Sequence, residues 1–180
     1  WNKRRNMKTV NDQFPNFALT GVDAENKFTR VYNNSAGVFE EEPWSVFYFY
    51  PKDFTFICPT EIAEMDRLID EGIQVVGFSG DNEHCKLNWK KTNPIIKNIR
   101  HPLVADTGLS LSYELGIVDE KEGVCLRATF IVDPNNMIRS VTVNELDTGR
   151  NVDEVIRTVK AIQAGGLTAC SWKEGDDFVG

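Results

Sequence analysis

Four cysteines and two histidines are the side chains of this 180-residue sequence with the widest chemical repertoire. They are Cys58, Cys85, Cys125, Cys170, His84 and His101. No two cysteines show the Cys-x-x-Cys spacing, so a structural zinc site is disfavoured. A disulfide framework is also disfavoured, because the chain is long enough to bury a core without such staples. The pattern predicts free or redox-active thiols in a reducing compartment such as the cytoplasm, with no metal and no organic cofactor.

Cys58 lies in the most informative segment of the chain. It follows a predicted strand and precedes a predicted helix, so we expect its sulfur at a helix N-terminus. Backbone N–H groups and the helix dipole favour the thiolate there, and the thiolate is the nucleophile. Pro59 suits the first helical position, and Glu61 suits a capping box with Cys58 as the cap. We expect Thr55 to fold its hydroxyl toward the sulfur, and Pro51 to stiffen the loop and exclude water. The alternative is a buried, inert cysteine.

The elements on either side of Cys58 are predicted from hydrophobic periodicity. The apolar runs Trp44–Tyr50 and Ile73–Ser79 are typical of strands buried on both faces. Between them, the segment from Pro59 to about Glu71 has apolar residues on one helical face and stops at Gly72. A strand, a helix and a strand in this order predict a βαβ unit with parallel strands.

The rest of the chain completes an α/β pattern. The predicted elements are strands Phe14–Thr20, Phe28–Tyr32, Leu103–Ala105, Ala128–Val132 and Met137–Val143, a helix 82–92 capped by Asp81, a short helix Gly108–Leu115 and a last helix capped by Asn151 and stopped by Gly165. A βαβ unit followed by a β-hairpin and a helix is the ground plan of the thioredoxin-like fold, with a mixed central sheet flanked by helices. We expect one domain over residues 8–164 and a C-terminal arm over residues 165–180.

Several segments resemble the peroxiredoxins, in particular the typical 2-Cys branch with the alkyl hydroperoxide reductase C subunit (AhpC/TSA). The family pattern Pro-x-x-x-Thr-x-x-Cys is present as Pro51, Thr55 and Cys58. The resemblance continues through residues 49–61, 126–134, 149–155 and 169–173, and covers roughly residues 10–176.

The resemblance implies a role for each of these residues. Cys58 is the peroxidatic nucleophile, Thr55 positions the peroxide and Pro51 shields the site. Arg127 is the cation that stabilises the thiolate and the transition state, and Glu61 and Arg150 orient Arg127 and the loop around it. Cys170 resolves the oxidised Cys58 through an intersubunit disulfide. The implied enzyme is a thiol-dependent peroxidase acting on hydrogen peroxide and organic hydroperoxides.

The resemblance also implies partners. These are a peroxide substrate, a dithiol reductant (thioredoxin or a dedicated flavoprotein disulfide reductase) and a second copy of the chain, in a homodimer that can assemble into a ring. The family often has histidine three residues before the tryptophan matching Trp89, and this chain has Lys86 there. We expect Cys85 and Cys125 to be structural, although an accessory role for Cys125 stays open.

Two other functions stay open at this point. One is a redox-regulated holdase chaperone or a peroxide-signalling protein, roles that the resemblance admits beside peroxidase activity. The other is a cysteine hydrolase, which needs a base such as histidine beside Cys58. No recognisable motif places His84 or His101 in that position.

The overall charge excludes some partners. The chain has 20 Lys and Arg against 27 Asp and Glu, a net charge of -7. An acidic chain disfavours nucleic acid, which binds to basic surfaces. No apolar run is long enough to span a bilayer, so no membrane association is expected.

Overall fold

The computed structural model describes residues 6–33 and 43–180. The chain divides into two compact units, Trp1–Arg150 and Asn151–Gly180. Within the described residues, the strands in chain order are β1 (Ala18–Val22), β2 (Phe28–Tyr32), β3 (Ser45–Phe49), β4 (Gln74–Ser79), β5 (Leu103–Ala105), β6 (Val118–Asp119), β7 (Val124–Cys125), β8 (Arg127–Val132) and β9 (Ile138–Asn144). The α-helices are α1 (Cys58–Met65), α2 (Glu83–Thr92), α3 (Ser110–Leu115) and α4 (Val152–Ala164), with 3₁₀ turns at Asp66–Glu71 and Thr107–Leu109.

The first unit is built on a mixed seven-stranded sheet in the order β2-β1-β5-β4-β3-β8-β9. Strands β3, β4 and β5 are parallel neighbours, and the remaining pairings are antiparallel. The predicted βαβ unit and the predicted hairpin are therefore both confirmed. Helices flank this sheet, and its topology is that of the thioredoxin-like fold expected from the sequence.

The central strand β3 separates two packed layers. All five of its residues are buried. Because side chains alternate along a strand, Phe47 and Phe49 point to one face and Tyr48 to the other. The phenylalanine face joins an apolar core that includes Leu111 and Leu115 of α3. On the other face, Tyr48 lies over Gly77 of β4, where an added Cβ would come within 2.5 Å of the tyrosine oxygen.

The predicted helix after Cys58 is split in two. It runs as an α-helix to Met65 and then as a 3₁₀ turn to Glu71, and ends at Gly72, whose φ of 75° requires a glycine-like conformation. The predicted capping box is wrong. Ile57 is the N-cap, and its apolar side chain cannot accept a hydrogen bond. The Glu61 carboxylate binds two arginines rather than the N-cap backbone.

Several other boundaries differ from the prediction, most of them by one or two residues. The first strand begins at Ala18 rather than Phe14, because Pro15 has no N–H for a ladder and Phe14 packs as a buried loop residue. Helix α2 is capped by Asn82, whose side chain accepts the Cys85 N–H at 2.9 Å, rather than by Asp81. The ribbon of β6 and β7 was not predicted, since each strand has only two residues.

The second unit contains α4 and the residues after it. The Asn151 side chain caps α4 by accepting the Glu154 N–H at 3.1 Å, and Gly165 ends the helix with φ 75°, as predicted. Residues 165–180 contain no helix or strand. Among the described residues, no helix is long and apolar enough to cross a membrane.

Candidate active site around Cys58

Cys58 is the first residue of α1 and is fully buried. The loop that leaves β3 delivers it there, and Pro59 follows it in the first turn, where a missing N–H removes no helical hydrogen bond. The sulfur therefore lies where the unpaired N–H groups of a helix start stabilise negative charge. This is the position that the sequence predicted.

Arg127 brings a positive charge to the sulfur. It is the first residue of β8, which pairs with β3, so the sheet fixes its position relative to the loop. Its Nη1 donates to Cys58 Sγ at 3.2 Å and to Glu61 Oε2 at 2.8 Å, and its Nε donates to the Leu146 carbonyl at 2.7 Å. Burial lowers the pKa of Arg127, but the hydrogen bond to Cys58 and the charges of Cys58 and Glu61 outweigh it and raise that pKa.

Glu61 and Arg150 hold Arg127 in place. The Glu61 carboxylate is buried one turn along α1 and accepts from Arg127, from the Arg150 backbone N–H at 2.9 Å and from Arg150 Nη2 at 3.2 Å. The Arg150 guanidinium also donates to the carbonyls of Phe49 and Ala128, and lies 5.2 Å from the Tyr48 ring centre. Two arginines therefore share one carboxylate, and one guanidinium nitrogen is directed at the sulfur.

The loop residues Pro51 and Thr55 lie in less direct positions. Pro51 is buried at the end of β3. The Thr55 hydroxyl donates to the Lys52 carbonyl at 3.0 Å rather than to the sulfur. Its donor is therefore used within the loop, and its oxygen lone pairs stay available to accept a hydrogen bond. The sequence had predicted this hydroxyl to fold toward the sulfur.

The four cysteines are free and differ in environment. Cys125 is buried and donates its S–H to the Tyr50 carbonyl at 2.9 Å, and burial raises its pKa to about 12. Partial burial, with the charges of Asp53 and Asp81, raises the pKa of Cys85 to about 11. Both thiols are therefore held in the unreactive protonated form at neutral pH.

Cys170 is the exposed cysteine of the second unit. It lies in a turn closed by a hydrogen bond from the Trp172 N–H to the Ala169 carbonyl at 3.1 Å. The Trp172 ring is buried and stacks on Phe178 with centres 6.2 Å apart, and Arg157 of α4 donates to the Trp172 carbonyl at 3.0 Å. The turn thus leaves the Cys170 sulfur exposed, next to a tryptophan that these contacts hold.

The two histidines have other partners. His101 is buried, with Nε2 at 2.6 Å from the Tyr48 hydroxyl and Nδ1 at 2.7 Å from Asp66 Oδ1. His84 is exposed and its ring packs edge-on against Phe28. Neither is bonded to Cys58, so the geometry gives a histidine-dependent hydrolase no base. The Tyr48–His101–Asp66 chain was missed from the sequence, where its members are tens of residues apart.

A cavity of about 460 Å³ opens beyond the ends of β3 and β4. Its walls include Pro51, Lys52, Asp81, Leu109 and Tyr113. Cys58, Thr55 and Arg127 are not among its lining residues, so the cavity meets the candidate active site only at Pro51 and the neighbouring loop residue Lys52.

Comparison with known proteins identifies the family of this chain. The model of the AhpC/TSA family matches residues 10–141. The alkyl hydroperoxide reductase C of Mycolicibacterium smegmatis is 41% identical over 188 aligned residues, which cover 96% of this chain and 94% of that protein.

Solved structures agree with this match. Reduced 2-Cys peroxiredoxin of Plasmodium vivax superposes with a TM-score of 0.85 at 33% identity, covering 93% of this chain and 91% of that one. The AhpC of Mycobacterium bovis gives 0.81 at 36% identity, covering 93% and 99%. The class is therefore that of the thiol-dependent oxidoreductases with a thioredoxin-like fold. Within it, this chain belongs to the AhpC/TSA family and is a peroxiredoxin, an enzyme that reduces peroxides.

Proposed function

We propose that this peroxiredoxin reduces hydrogen peroxide and organic hydroperoxides through a sulfenic acid on Cys58, which Cys170 of a second copy resolves as an intersubunit disulfide. The observation that carries the proposal is the 3.2 Å hydrogen bond from Arg127 to the sulfur of a cysteine at a helix N-terminus. The Arg127 side chain is itself held by Glu61 and by the Leu146 carbonyl, so its charge is already in position before substrate arrives.

In the first step, the Cys58 thiolate attacks one oxygen of the peroxide. An S–O bond forms and the O–O bond breaks, and the departing oxygen leaves as an alcohol or water after taking a proton. Negative charge moves from the sulfur to that oxygen during the step. A fixed guanidinium and the backbone N–H groups at the start of α1 stabilise this charge without reorganising, and stabilisation of this kind is usually the largest single contribution to enzymatic catalysis.

Thr55 and Pro51 act on the substrate in this proposal. The Thr55 oxygen accepts the hydrogen bond of the peroxide O–H, which is consistent with its own hydrogen being donated to Lys52. Pro51 is buried and excludes water from the loop side of the sulfur. Glu61 and Arg150 position Arg127 and do not touch the substrate.

In the second step, the Cys170 thiolate attacks the Cys58 sulfenic acid. An S–S bond forms and water leaves, and a dithiol reductant then returns both cysteines to thiols while it is oxidised to its own disulfide. The environments of the other cysteines support this assignment, because the raised pKa values of Cys85 and Cys125 make both poor attacking thiols. Cys170 is exposed and free.

The proposal divides the chain by function. Residues 8–164 form the catalytic domain, and residues 165–180 form the arm that carries Cys170, which is consistent with the end of α4 at Gly165.

The reductant is thioredoxin or a flavoprotein disulfide reductase, and the working form is a homodimer that can extend to a ring. Four free thiols are compatible with a reducing compartment, and we propose the cytoplasm.

Two variants test the first step. Cys58→Ser should abolish peroxide consumption in a coupled assay with a dithiol reductant. Arg127→Ala should stay folded and react about a hundred- to a thousandfold more slowly, since removing one such donor typically costs ~2.7–4 kcal/mol of transition-state stabilisation. The control is Arg139→Ala, which removes an arginine that is about 41% exposed on the same hairpin and should leave the rate unchanged. Substantial turnover by Cys58→Ser, or an unchanged rate for Arg127→Ala, would overturn the assignment.

A further inference from the structure

A second buried charged cluster lies beneath the loop that leads to Cys58. Lys86 of α2 and Asp53 of the loop both have fully buried side chains. The Lys86 ammonium lies 3.2 Å and 3.3 Å from the two Asp53 carboxylate oxygens and 3.2 Å from the Tyr50 hydroxyl, and it also donates to the Ser79 hydroxyl. Lys86 therefore neutralises the buried aspartate, and all three of its donors have partners.

Asp53 is held from three directions. Its Oδ1 accepts from Ser79 Oγ at 3.0 Å, at the end of β4, and its carboxylate accepts from Lys86 on α2. Its backbone N–H donates to Asp81 Oδ2 at 2.7 Å. Asp53 is two residues after Pro51 and two before Thr55, so these bonds fix the middle of the peroxide-binding loop. The next residue, Phe54, has a φ of 57°, an unusual conformation that needs such support.

Stability alone does not account for this ion pair. Replacing a buried ion pair by apolar residues of similar volume is often neutral or stabilising, because desolvation offsets the attraction between the charges. What the pair does provide is a unique geometry, since a buried carboxylate has few other arrangements that satisfy it. The element fixed here is an irregular loop, and the residues on both sides of the fixed point are those proposed to contact peroxide.

We propose that Lys86 and Asp53 are positioning residues, which hold Pro51 and Thr55 in the arrangement that admits and orients peroxide at Cys58. The proposal rests on the proposed function of Cys58. Neither residue is hydrogen-bonded to the sulfur, and the Arg127–Glu61–Arg150 cluster does not include them. Their loss should therefore slow the reaction with peroxide while leaving the pairing of Cys58 with Arg127 intact.

The test is the double variant Asp53→Asn/Lys86→Met in a Cys170→Ser background. Removing both charges avoids the lone buried charge that either single substitution would leave. In this background Cys58 oxidation is read directly, as the loss of its thiol to hydrogen peroxide in quenched, alkylated samples analysed by intact mass. We expect the rate to fall about ten- to a hundredfold, since displacement of a positioned group by ~1 Å can cost a factor of about a hundred.

Two measurements separate positioning from general damage. Thermal unfolding should show a folded double variant, and the pH midpoint of Cys58 alkylation by iodoacetamide should match the parent, because the variant leaves the hydrogen bond from Arg127 to the sulfur in place. The matched control is Lys90→Met, which makes the same change one turn further along α2. Lys90 is also buried, but it donates to the Asp23 and Ala24 carbonyls at 2.6 Å and 3.1 Å, away from the loop. Its peroxide rate should stay within about twofold of the parent.

Each contrary outcome has its own meaning. A folded double variant that reacts with peroxide as fast as the parent overturns the positioning role. A shifted alkylation midpoint, or an equal loss of rate in Lys90→Met, also overturns it, because the effect then reaches Cys58 by general disturbance. Failure of the proposed function itself would show separately, as peroxide consumption that survives Cys58→Ser.

Discussion

At the scale of single residues, the buried Glu61 carboxylate binds both Arg127 and Arg150, and this contact holds the Arg127 guanidinium beside the Cys58 sulfur. Arg150 offsets the charge of Glu61 from one side, and Arg127 uses one nitrogen for both Glu61 and Cys58. A lysine in place of Arg127 would supply the same charge but not the Nε–H bond to Leu146 that orients it. The orientation of the cation is therefore as much a property of the site as its charge.

His101 provides a pH-dependent contribution to stability. Burial lowers its pKa, and the hydrogen bond to Asp66 only partly offsets this. Burial raises the pKa of the Tyr48 phenol, so the phenol keeps its proton and donates it to Nε2, while Nδ1–H donates to Asp66. Hydrogen bonds from His101 and Arg100 outweigh burial and lower the pKa of Asp66. The folded chain therefore holds a neutral imidazole between a phenol and a carboxylate.

We predict that His101 destabilises the fold as the pH falls below about 6.5, the ordinary pKa of histidine. Because the folded-state pKa is lowered, the unfolded chain takes up the proton first, so the free energy of unfolding is highest above that pH and falls below it. A single such group contributes at most about 1.4 kcal/mol per pH unit. Urea unfolding of His101→Gln between pH 7 and pH 5 should show a shallower dependence than the parent. The exposed His84→Gln should keep the parental slope, and an unchanged slope in His101→Gln would contradict the prediction.

The sequence predicted the site residues unevenly. Cys58 and its place at a helix N-terminus follow from the local pattern of strand, loop and helix. Arg127, Glu61 and Arg150 came from family resemblance, since no local pattern marks an arginine at the start of a strand as a partner of a cysteine 69 residues away. Lys86 pairs with Asp53, 33 residues away, and His101 pairs with Tyr48, 53 residues away. The burial of Lys86 and His101 depends on how α2 and the sheet pack. Such roles are set by tertiary contacts that sequence spacing does not encode.

At the scale of elements, the start of α1 lacks a side-chain cap. Its N-cap residue, Ile57, offers no side chain to the free N–H groups of the first turn, although the Thr60 hydroxyl donates back to the Ile57 carbonyl at 2.6 Å. A missing N-cap bond typically costs a helix ~1 kcal/mol. Because Cys58 is buried, this first turn must unwind before a second thiol can reach its sulfur.

We predict that disulfide formation therefore outpaces overoxidation at sub-millimolar peroxide. Family members that overoxidise easily carry a Gly-Gly-Leu-Gly loop that holds the site folded, and this chain has Asn93–Asn98 in that place. Intact mass after turnover with reductant, across a peroxide series, should show little Cys58 carrying two added oxygens. Cys170→Ser, which cannot resolve the sulfenic acid, should gain them at low peroxide. A parent protein that gains two oxygens as readily as Cys170→Ser would refute the prediction.

Strong periodicity made the elements themselves predictable, and tertiary contacts set their ends. The strands β2 and β5 and the caps of α4 match the sequence pattern, because turn residues bound them on both sides. The helix after Cys58 was predicted as one piece, but its second half winds as a 3₁₀ turn. There Asp66 bonds Arg100 and His101 from a distant loop, a contact that the local apolar pattern does not contain.

At the scale of the whole molecule, the proposed function predicts a disulfide link between two copies of the chain. Cys58 is buried and Cys170 is exposed, and they belong to different compact units of the chain. If the proposed intersubunit Cys58–Cys170 bridge forms, the oxidised protein should run as a disulfide-linked dimer on a non-reducing gel. Cys85 and Cys125 should contribute little, because their raised pKa values make them poor resolving thiols.

Cys170→Ser should remain monomeric on that gel and, when given a single equivalent of peroxide, should still consume it, since Cys58 is intact. Cys85→Ser is the control and should form the dimer as the parent does. A monomer band for the oxidised parent, with a Cys58–Cys85 or Cys58–Cys125 bridge found by mass spectrometry, would place the protein in a different mechanistic subclass.

The close approach of the Tyr48 hydroxyl to Gly77 also restricts how this sequence can diverge. Any side chain at position 77 would collide with the phenol, so the glycine can be replaced only after Tyr48 has become smaller. Loss of that phenol in turn removes the hydroxyl that donates a hydrogen bond to Nε2 of the buried His101. Positions 48, 77 and 101 are therefore expected to vary together among relatives, with a change at Tyr48 preceding any change at Gly77.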